Sequence, residues 1–189
     1  LHSDHNIHCY KGSVKMAKGS INSKVKRFIS IGTCLEYKAS PIALTINSPL
    51  NPLNPYALAK VKLYKKLNTL LPENNIEFAW CRVFYLYGEH EDDRRLVPFL
   101  RSRLKIGKVA KLSSGKLIRD YMDVSEAGNA IAAVALSKVK GVVNICSEKP
   151  ISIRELAENI ANEYGRKDLL IFESREENKF EPPYIVGKR

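Results

Sequence analysis

The segment at residues 76–84, IEFAWCRVF, constrains the fold of this chain more than any other. Only Glu77 and Arg82 interrupt a run of apolar side chains that has the length of one strand. Such runs are typical of parallel strands, because helices cover both faces of the sheet that contains them. The segment therefore predicts a central strand in a layered α/β fold. Arg82 needs a partner inside that fold, and we interpret it as structural.

The flanking segments alternate between helical and strand patterns. Apolar residues at helical spacing predict a helix at residues 10–21 and a second at residues 56–71, closed by Pro72. The segment VKRFISIG at residues 25–32 predicts a strand between them. The order α, β, α, β is typical of a doubly wound parallel sheet of the Rossmann type, in which ligands bind at the carboxyl ends of the strands.

The pattern changes after Gly88. A charged loop leads into a predicted helix at residues 95–107, and residues 110–124 predict a hairpin around Ser114 and Gly115. The alternation then resumes, with a helix, a strand, a helix and a last strand predicted at residues 125–136, 141–147, 152–165 and 168–174.

The predicted fold class is α/β, a partial doubly wound parallel sheet with a small α+β substrate-binding region. We expect residues 1–88 to be the later part of a Rossmann-type domain and residues 89–189 to form the substrate-binding region. Residues 124–146 are expected to return to the Rossmann-type sheet, because the α/β alternation resumes there.

The composition excludes several functional classes. With 44% hydrophobic and 27% charged residues, the 189-residue chain resembles globular proteins and not disordered ones. The net charge of +11 is spread along the chain without an arginine-rich run, so we expect no nucleic-acid partner. A basic surface also suits a small anionic substrate such as a diphosphate, because a cleft focuses its field.

The sequence contains no stretch near the roughly 20 apolar residues that a bilayer span requires, so we expect no membrane partner and a cytoplasmic location. The four cysteines, at positions 9, 34, 81 and 146, show neither a C-x-x-C pair nor ligand spacing. We interpret them as half-buried free thiols in a reducing compartment.

A metal site is a rival interpretation of the N-terminal segment, where His2, His5 and His8 recur around Asp4. N-terminal segments of this kind are usually solvated or frayed, and no motif links a further ligand to the histidines. We therefore expect no metal.

The segment NPYALAK places Tyr56 four residues before Lys60, near the start of a predicted helix. Residues at this spacing lie on one helical face, so the phenol and the ammonium can act at one point. The spacing also occurs by chance in amphipathic helices and does not alone establish a function. If the pair is functional, Lys60 is expected to lower the pKa of Tyr56 below its usual value of about 10.

Four ordered motifs resemble one family. They are KRFISIGTCLEY, NPYALAK, CRVFYLYG and IRDYMDVSEAGNAI, which begin at residues 26, 54, 81 and 118. Together they resemble the NAD(P)-dependent epimerase/dehydratase family, the extended short-chain dehydrogenase/reductases that act on nucleotide sugars. The similarity covers almost the whole chain.

The resemblance implies a nucleotide-sugar substrate and NAD or NADP as the cofactor. It implies that Tyr56 is the catalytic base and that Lys60 also binds the nicotinamide ribose. Thr33, four residues before a tyrosine, is implied to hold the substrate oxygen on which charge develops. Arg119 is the family-like position for the substrate phosphate, with a salt bridge to Asp120 or Asp123 as its structural alternative.

Departures from the family pattern narrow the chemistry. Family dehydratases follow the threonine with Asp-Glu, whereas Cys34 and Leu35 follow Thr33 here, so dehydration is disfavoured. Tyr85 stands where epimerases carry an asparagine that touches the diphosphate. We therefore favour a 4-keto reductase of a nucleotide-linked deoxysugar, with a 4-epimerase or a non-catalytic nucleotide-sugar-binding remnant as alternatives.

Family members also open with a strand, a glycine-rich turn and a helix that hold the cofactor pyrophosphate. The ten glycines of this chain are never closer than seven residues apart, so no such turn can be formed. We expect the chain to be the later part of an enzyme, with poor NAD affinity and negligible activity unless another chain supplies the first half. RFISIG would then lie at an unpaired sheet edge, and the full-length form could be a homodimer.

Overall fold

The computed structural model describes residues 5–176, 178 and 181–189. Five helices and nine strands occur in this part of the chain. In chain order they are α1 (His5–Asn22), β1 (Arg27–Thr33), α2 (Pro55–Glu73), β2 (Glu77–Val83), β3 (Tyr85–Tyr87), α3 (Leu96–Lys105), β4 (Ala110–Lys111), β5 (Ile118–Asp123), α4 (Val124–Leu136), β6 (Gly141–Ile145), β7 (Pro150–Ser152), α5 (Ile153–Glu163), β8 (Leu170–Ile171) and β9 (Tyr184–Ile185).

The main sheet contains β1, β2 and β6 in that order, and all three strands are parallel. Helices cover both of its faces, as the apolar run in β2 predicts. Phe78 and Trp80 pack with the core side chains of α1 and α2, whereas Ala79 and Cys81 pack with those of α4. The α/β fold class is therefore confirmed.

Strand β1 lies at an edge of this sheet. Its seven residues pair in register with β2, from Arg27 opposite Glu77 to Thr33 opposite Val83, and within the described residues its other side has no strand neighbour. Ile31 near the end of β1 keeps 39% of its surface exposed. The expectation of an unpaired edge at RFISIG is met in the described part of the chain.

The hairpin predicted around Ser114 and Gly115 is wrong. Strand β4 pairs with β8, whereas β5 pairs with β3 and β9 in parallel and with β7 in antiparallel orientation. The first turn of α5 packs directly on the turn at Gly115, because the backbone N–H of Arg154 donates to the Gly115 carbonyl at 2.9 Å. The two segments consequently separate into different sheets instead of pairing with each other.

All five predicted helices are confirmed, with shifts of up to five residues at their ends. Helix α1 begins at His5, five residues earlier than predicted, and α2 continues through Pro72 to Glu73. The short strand β9 was not predicted, because two residues give no measurable periodicity. No helix in the described residues is long and apolar enough to cross a membrane.

The four cysteines are free thiols with unequal exposure. Cys34, Cys81 and Cys146 are buried, but Cys9 is exposed on α1, so the prediction of half-buried thiols is wrong for all four. Burial raises the pKa of Cys34 to about 12 and the pKa values of Cys81 and Cys146 to about 11. Since the thiolate is the reactive form, these three thiols are protected both by position and by protonation.

We expect Ellman's reagent at pH 8 to modify one thiol quickly in the folded chain and all four after denaturation. A Cys9→Ser variant should lose the fast phase, because Cys9 is the exposed thiol. Two or more fast thiols in the folded parent protein would contradict the burial of the other three.

Candidate active site

The chain turns sharply where β1 ends. Thr33 is the last residue of β1, and a short 3-10 turn at Cys34–Glu36 follows. The Thr33 hydroxyl accepts a hydrogen bond from the backbone N–H of Leu35, and the Thr33 N–H donates to Glu36 Oε1 at 2.8 Å. This reciprocal cap fixes the direction in which the chain leaves the carboxyl end of the strand.

Helix α2 brings Tyr56 and Lys60 to the same point. Asn54 caps the helix by accepting from the backbone N–H of Ala57 at 2.9 Å, which places Tyr56 in the first turn. Lys60 Nζ donates to the Ile31 carbonyl at 2.8 Å and lies 5.8 Å from the centroid of the Tyr56 ring. The Thr33 side chain lies near enough to the Tyr56 phenol to lower the pKa of Tyr56. The structure thus brings Thr33, Tyr56 and Lys60 together.

The predicted effect of Lys60 on Tyr56 is wrong. The pKa of Tyr56 is raised and not lowered, because burial disfavours the charged phenolate and the nearby Cys34 and Glu36 add to this effect. The Thr33 side chain and the charge of Arg95 lower the pKa of Tyr56 but do not outweigh the burial. The phenol is therefore protonated at neutral pH.

Lys60 is also partly desolvated. Burial lowers its pKa, and the negative charge of Glu36 acts in the opposite direction. Lys60 and Tyr56 line a cleft of about 110 Å³ between α1 and α2. The remaining lining residues are Asn6, Cys9, Tyr10, Ser13, Ala59 and Leu63.

Tyr85 and Arg119, two of the predicted substrate-binding residues, lie on the neighbouring strands β3 and β5. Arg119 on β5 is 2% exposed, and its guanidinium carbon lies 5.4 Å from the centroid of the Tyr85 ring on β3. Burial raises the pKa of Tyr85, so its phenol stays protonated. The charge of Arg119 also lowers the pKa of the Cys34 thiol, but burial outweighs this effect.

The salt bridge predicted as the alternative for Arg119 has a different partner. Arg119 Nη2 donates to Glu181 Oε2 at 3.2 Å. Asp120 accepts from the backbone N–H groups of Ser147, Glu148 and Gly187. Asp123 caps α4, so the two aspartates next to Arg119 have other partners.

Glu36 is the partner that Arg82 requires, and sequence reasoning missed it. Arg82 Nε donates to Glu36 Oε2 at 2.7 Å, and the two side chains are 2% and 0% exposed. Trp80 Nε1 also donates to the Glu36 carboxylate. The signal was present in β2, because Trp80 and Arg82 are two residues apart and therefore point to the same face.

Gly32 makes room for this arrangement. A Cβ atom at Gly32 would lie 2.2 Å from Trp80 Nε1 and 2.4 Å from Glu36 Oε1. These distances are far shorter than any real contact, so a larger residue cannot occupy this position without moving the carboxylate and the indole.

The described residues contain no group of three or more His, Cys, Asp or Glu side chains able to hold a metal. His5 and His8 lie on α1 with ring centroids 6.3 Å apart. His2 and Asp4 lie outside the described residues.

Comparison with known proteins decides the family. The sequence model of the NAD dependent epimerase/dehydratase family matches residues 7–146. The chain belongs to this family. The matched region extends from α1 to just beyond β6 and includes each candidate site residue, namely Thr33, Tyr56, Lys60, Tyr85 and Arg119.

Relatives within the family differ in reaction. The dTDP-6-deoxy-L-talose 4-dehydrogenase (NAD(+)) of Aggregatibacter actinomycetemcomitans is 30% identical over 149 residues, 76% of this chain and 54% of that protein. A Methanocaldococcus jannaschii protein provisionally named UDP-glucose 4-epimerase is 28% identical over 172 residues, 86% of this chain and 54% of that one. The chain thus spans about half the length of the curated relatives it matches.

A solved structure supports the fold assignment. UDP-N-acetylglucosamine 4-epimerase from Methanobrevibacter ruminantium M1, in complex with UDP-N-acetylmuramic acid, matches with a TM-score of 0.88 at 21% identity. The match covers 94% of this chain and 59% of that one. At this identity the likeness shows a shared fold.

We expect Gly32→Ala to lower the free energy of unfolding by roughly 1–3 kcal/mol, because the added methyl group collides with Trp80 and Glu36. Gly12→Ala on α1 is the matched control, since a Cβ there meets no atom within 4 Å. That variant should gain about 0.5–1 kcal/mol from the better helix former. Urea unfolding of both variants measures the difference, and equal midpoints would contradict the close contact.

Proposed function

We propose that this chain carries the catalytic and substrate-binding residues of an NAD(P)-dependent 4-keto reductase that acts on a nucleotide-linked deoxysugar. The meeting of Thr33, Tyr56 and Lys60 at the carboxyl end of β1 is the observation that carries the proposal. Ligands of doubly wound sheets bind at this end of the strands. Family membership and the dehydrogenase relative support the same reaction class.

In the proposed reaction, Tyr56 acts as a general acid. The reduced cofactor NAD(P)H, when bound, would supply the hydride for C4 of the keto sugar and become NAD(P)+. The C4–O double bond becomes a single bond, and the Tyr56 hydroxyl donates its proton to the resulting oxygen. The phenol holds its proton at neutral pH, because its pKa lies above the usual value of about 10, so Tyr56 is in the protonated form that this step requires.

Thr33 would assist this step at the substrate oxygen, and Lys60 would assist it at the cofactor. The Thr33 hydroxyl, next to the Tyr56 phenol, can donate to the same substrate oxygen and stabilise the charge that develops on it. Lys60 would hold the hydroxyl groups of the cofactor ribose, as the family resemblance implies. The position of Lys60 in the cleft beside Tyr56 supports this role.

The chain carries groups for one end of the cofactor and not for the other. The Lys60 ammonium, beside the Tyr56 phenol, can donate hydrogen bonds to the hydroxyl groups of a ribose. The sequence contains no closely spaced glycines to form a pyrophosphate turn. We therefore propose that the chain alone binds NAD(P) weakly and turns over little substrate unless another segment supplies this turn.

The substrate would lie between the two regions of the chain. We propose that residues 1–88, together with residues 124–146, carry the cofactor side, and that the rest of residues 89–189 carries the substrate side. Arg119 and Tyr85 would contact the diphosphate, with the planar guanidinium matching phosphate oxygens. Arg119 would then exchange its ion pair with Glu181 for one with the substrate.

A 4-epimerase is the second candidate, favoured by the likeness to the M. jannaschii protein. Epimerisation begins with oxidation, so it needs Tyr56 as a base before it acts as an acid. Tyr85, at the position where the resemblance implies an asparagine in epimerases, favours the reductase over this alternative. A non-catalytic sugar-nucleotide-binding protein is favoured only by the missing glycine turn.

We expect calorimetry to show that the chain binds a UDP- or dTDP-sugar and binds NAD(P)H much more weakly. Arg119→Lys should weaken sugar-nucleotide binding by about tenfold, because an ammonium cannot pair with phosphate in the bidentate manner of a guanidinium. Arg101→Lys, which changes an exposed ion pair with Glu163, is the matched control. Sugar-nucleotide affinity that is equal in both variants would remove Arg119 from the site.

We expect Tyr56→Phe to lower the turnover number by roughly 10²–10⁴-fold, because phenylalanine has no proton to donate. The measurement uses this chain joined to the glycine-turn segment of a family member, with circular dichroism to verify folding. Tyr164→Phe at the end of α5, outside the proposed site, should leave turnover unchanged. Full activity of Tyr56→Phe would exclude the proposed proton transfer.

A further inference from the structure

The Glu36 carboxylate lies at the centre of a buried polar cluster beside the proposed active site. It is 0% exposed and accepts hydrogen bonds from Arg82, Trp80 and the Thr33 backbone. Each of these donors belongs to the end of β1 or to β2. The carboxylate therefore joins the two strands on the face covered by α2.

This cluster acts directly on the position of Thr33. Because Glu36 Oε1 holds the Thr33 N–H at 2.8 Å, the turn after β1 cannot rotate without breaking a hydrogen bond to a buried charge. The same turn sets the direction of the Thr33 hydroxyl, which lies near enough to Tyr56 to lower its pKa. Arg82 is itself held in place, with its guanidinium carbon 4.5 Å from the centroid of the Tyr37 ring.

Because Gly32 has no side chain, β1 leaves room for the Glu36 carboxylate. A side chain at that position would collide with both Glu36 and Trp80, as described above. Lys60 approaches the same corner from α2, through its bond to the Ile31 carbonyl. The carboxylate thus lies close to the backbone positions that orient Thr33 and Lys60.

We infer that Glu36 is a positioning residue for the proposed reaction, holding the Thr33 backbone beside Tyr56 and placing a buried carboxylate next to the corner where Tyr56 and Lys60 meet. The inference rests on the function proposed above. It differs from the role of the acidic pair in family dehydratases, because Glu36 is buried and fully engaged by donors of this chain.

The charge of Glu36 also affects the pKa values of Tyr56 and Lys60, as its position beside them leads one to expect. Burial is the main cause of the raised pKa of Tyr56, and the charge of Glu36 raises it further. Burial lowers the pKa of Lys60, and the charge of Glu36 offsets part of that effect. A neutral residue at position 36 should therefore lower the pKa of both groups.

The test substitutes Glu36→Gln in the 189-residue chain, which keeps an oxygen for the donors and removes the charge. Ultraviolet titration of each protein, minus the same titration in a Tyr56→Phe background, gives the pKa of Tyr56. We expect this pKa to fall, and we expect amide exchange at Thr33 to accelerate by about tenfold as its charge-assisted hydrogen bond weakens.

Glu77→Gln is the matched control. Glu77 also bridges two cations, Arg27 and Lys140, but at the opposite end of β2. Its substitution should leave the pKa of Tyr56 and the exchange of Thr33 unchanged. The inference is overturned if Glu36→Gln leaves the Tyr56 pKa unchanged or raises it, or if Glu77→Gln produces an equal shift.

A second measurement uses the unchanged protein and covers the case in which Glu36→Gln does not fold. Trp80 is the only tryptophan, so the chain has a single indole N–H signal in its NMR spectrum. Bonded to the buried carboxylate, this proton should exchange at least about a hundredfold more slowly than that of free tryptophan. Exchange at the free rate would overturn the inference. Neither measurement requires sugar or cofactor, so each result is independent of the binding and turnover tests of the proposed function.

Discussion

The ion pair between Glu36 and Arg82 is the interaction on which the rest of the site depends. Removing two charges from water costs several kcal/mol per ion, and their attraction offsets this cost only when the remaining hydrogen-bonding groups are satisfied. Here Trp80 and the Thr33 N–H complete the shell of the carboxylate, and Tyr37 packs on the guanidinium. Because all of these partners are fixed, the ion pair has a single geometry. It therefore determines the position of Thr33 at the end of β1 and the direction of the 3-10 turn that follows.

The candidate chemistry depends on the fixed geometry at the carboxyl end of β1. Thr33, Tyr56 and Lys60 come from a strand end and from the first turns of α2, and they meet because α2 packs on the face that carries Trp80. Burial then raises the pKa of Tyr56, whereas the sequence led us to expect that Lys60 would lower it. The Lys60 ammonium lies 5.8 Å from the centroid of the Tyr56 ring. It donates its hydrogen bond to the backbone carbonyl of Ile31 and not to the Tyr56 oxygen. A neutral phenol beside a threonine hydroxyl suits the delivery of a proton to a carbonyl oxygen.

Local pattern predicted the elements of the three-stranded main sheet well and those of the two smaller sheets poorly. The apolar run in β2 and the spacing in α2 are strong signals, because a strand covered on both faces and a long amphipathic helix each impose a period on the sequence. The pairing of β4 with β8 and of β5 with β9 joins residues about 60 apart. No local pattern encodes such pairing, and a glycine turn between two short strands predicts a hairpin equally well.

The sequence by itself determined the α/β class, the family, and the presence of Tyr56 and Lys60 on one helical face, since each of these depends on periodicity or on ordered motifs. It also determined that Arg82 must have a partner, because a charge inside an apolar strand cannot remain unpaired. Only the tertiary structure identified that partner as Glu36, found Glu181 beside Arg119, and set the direction of the Tyr56 pKa. Partner choice and desolvation depend on which surfaces meet when helices and strands pack, and residues far apart in the chain decide that.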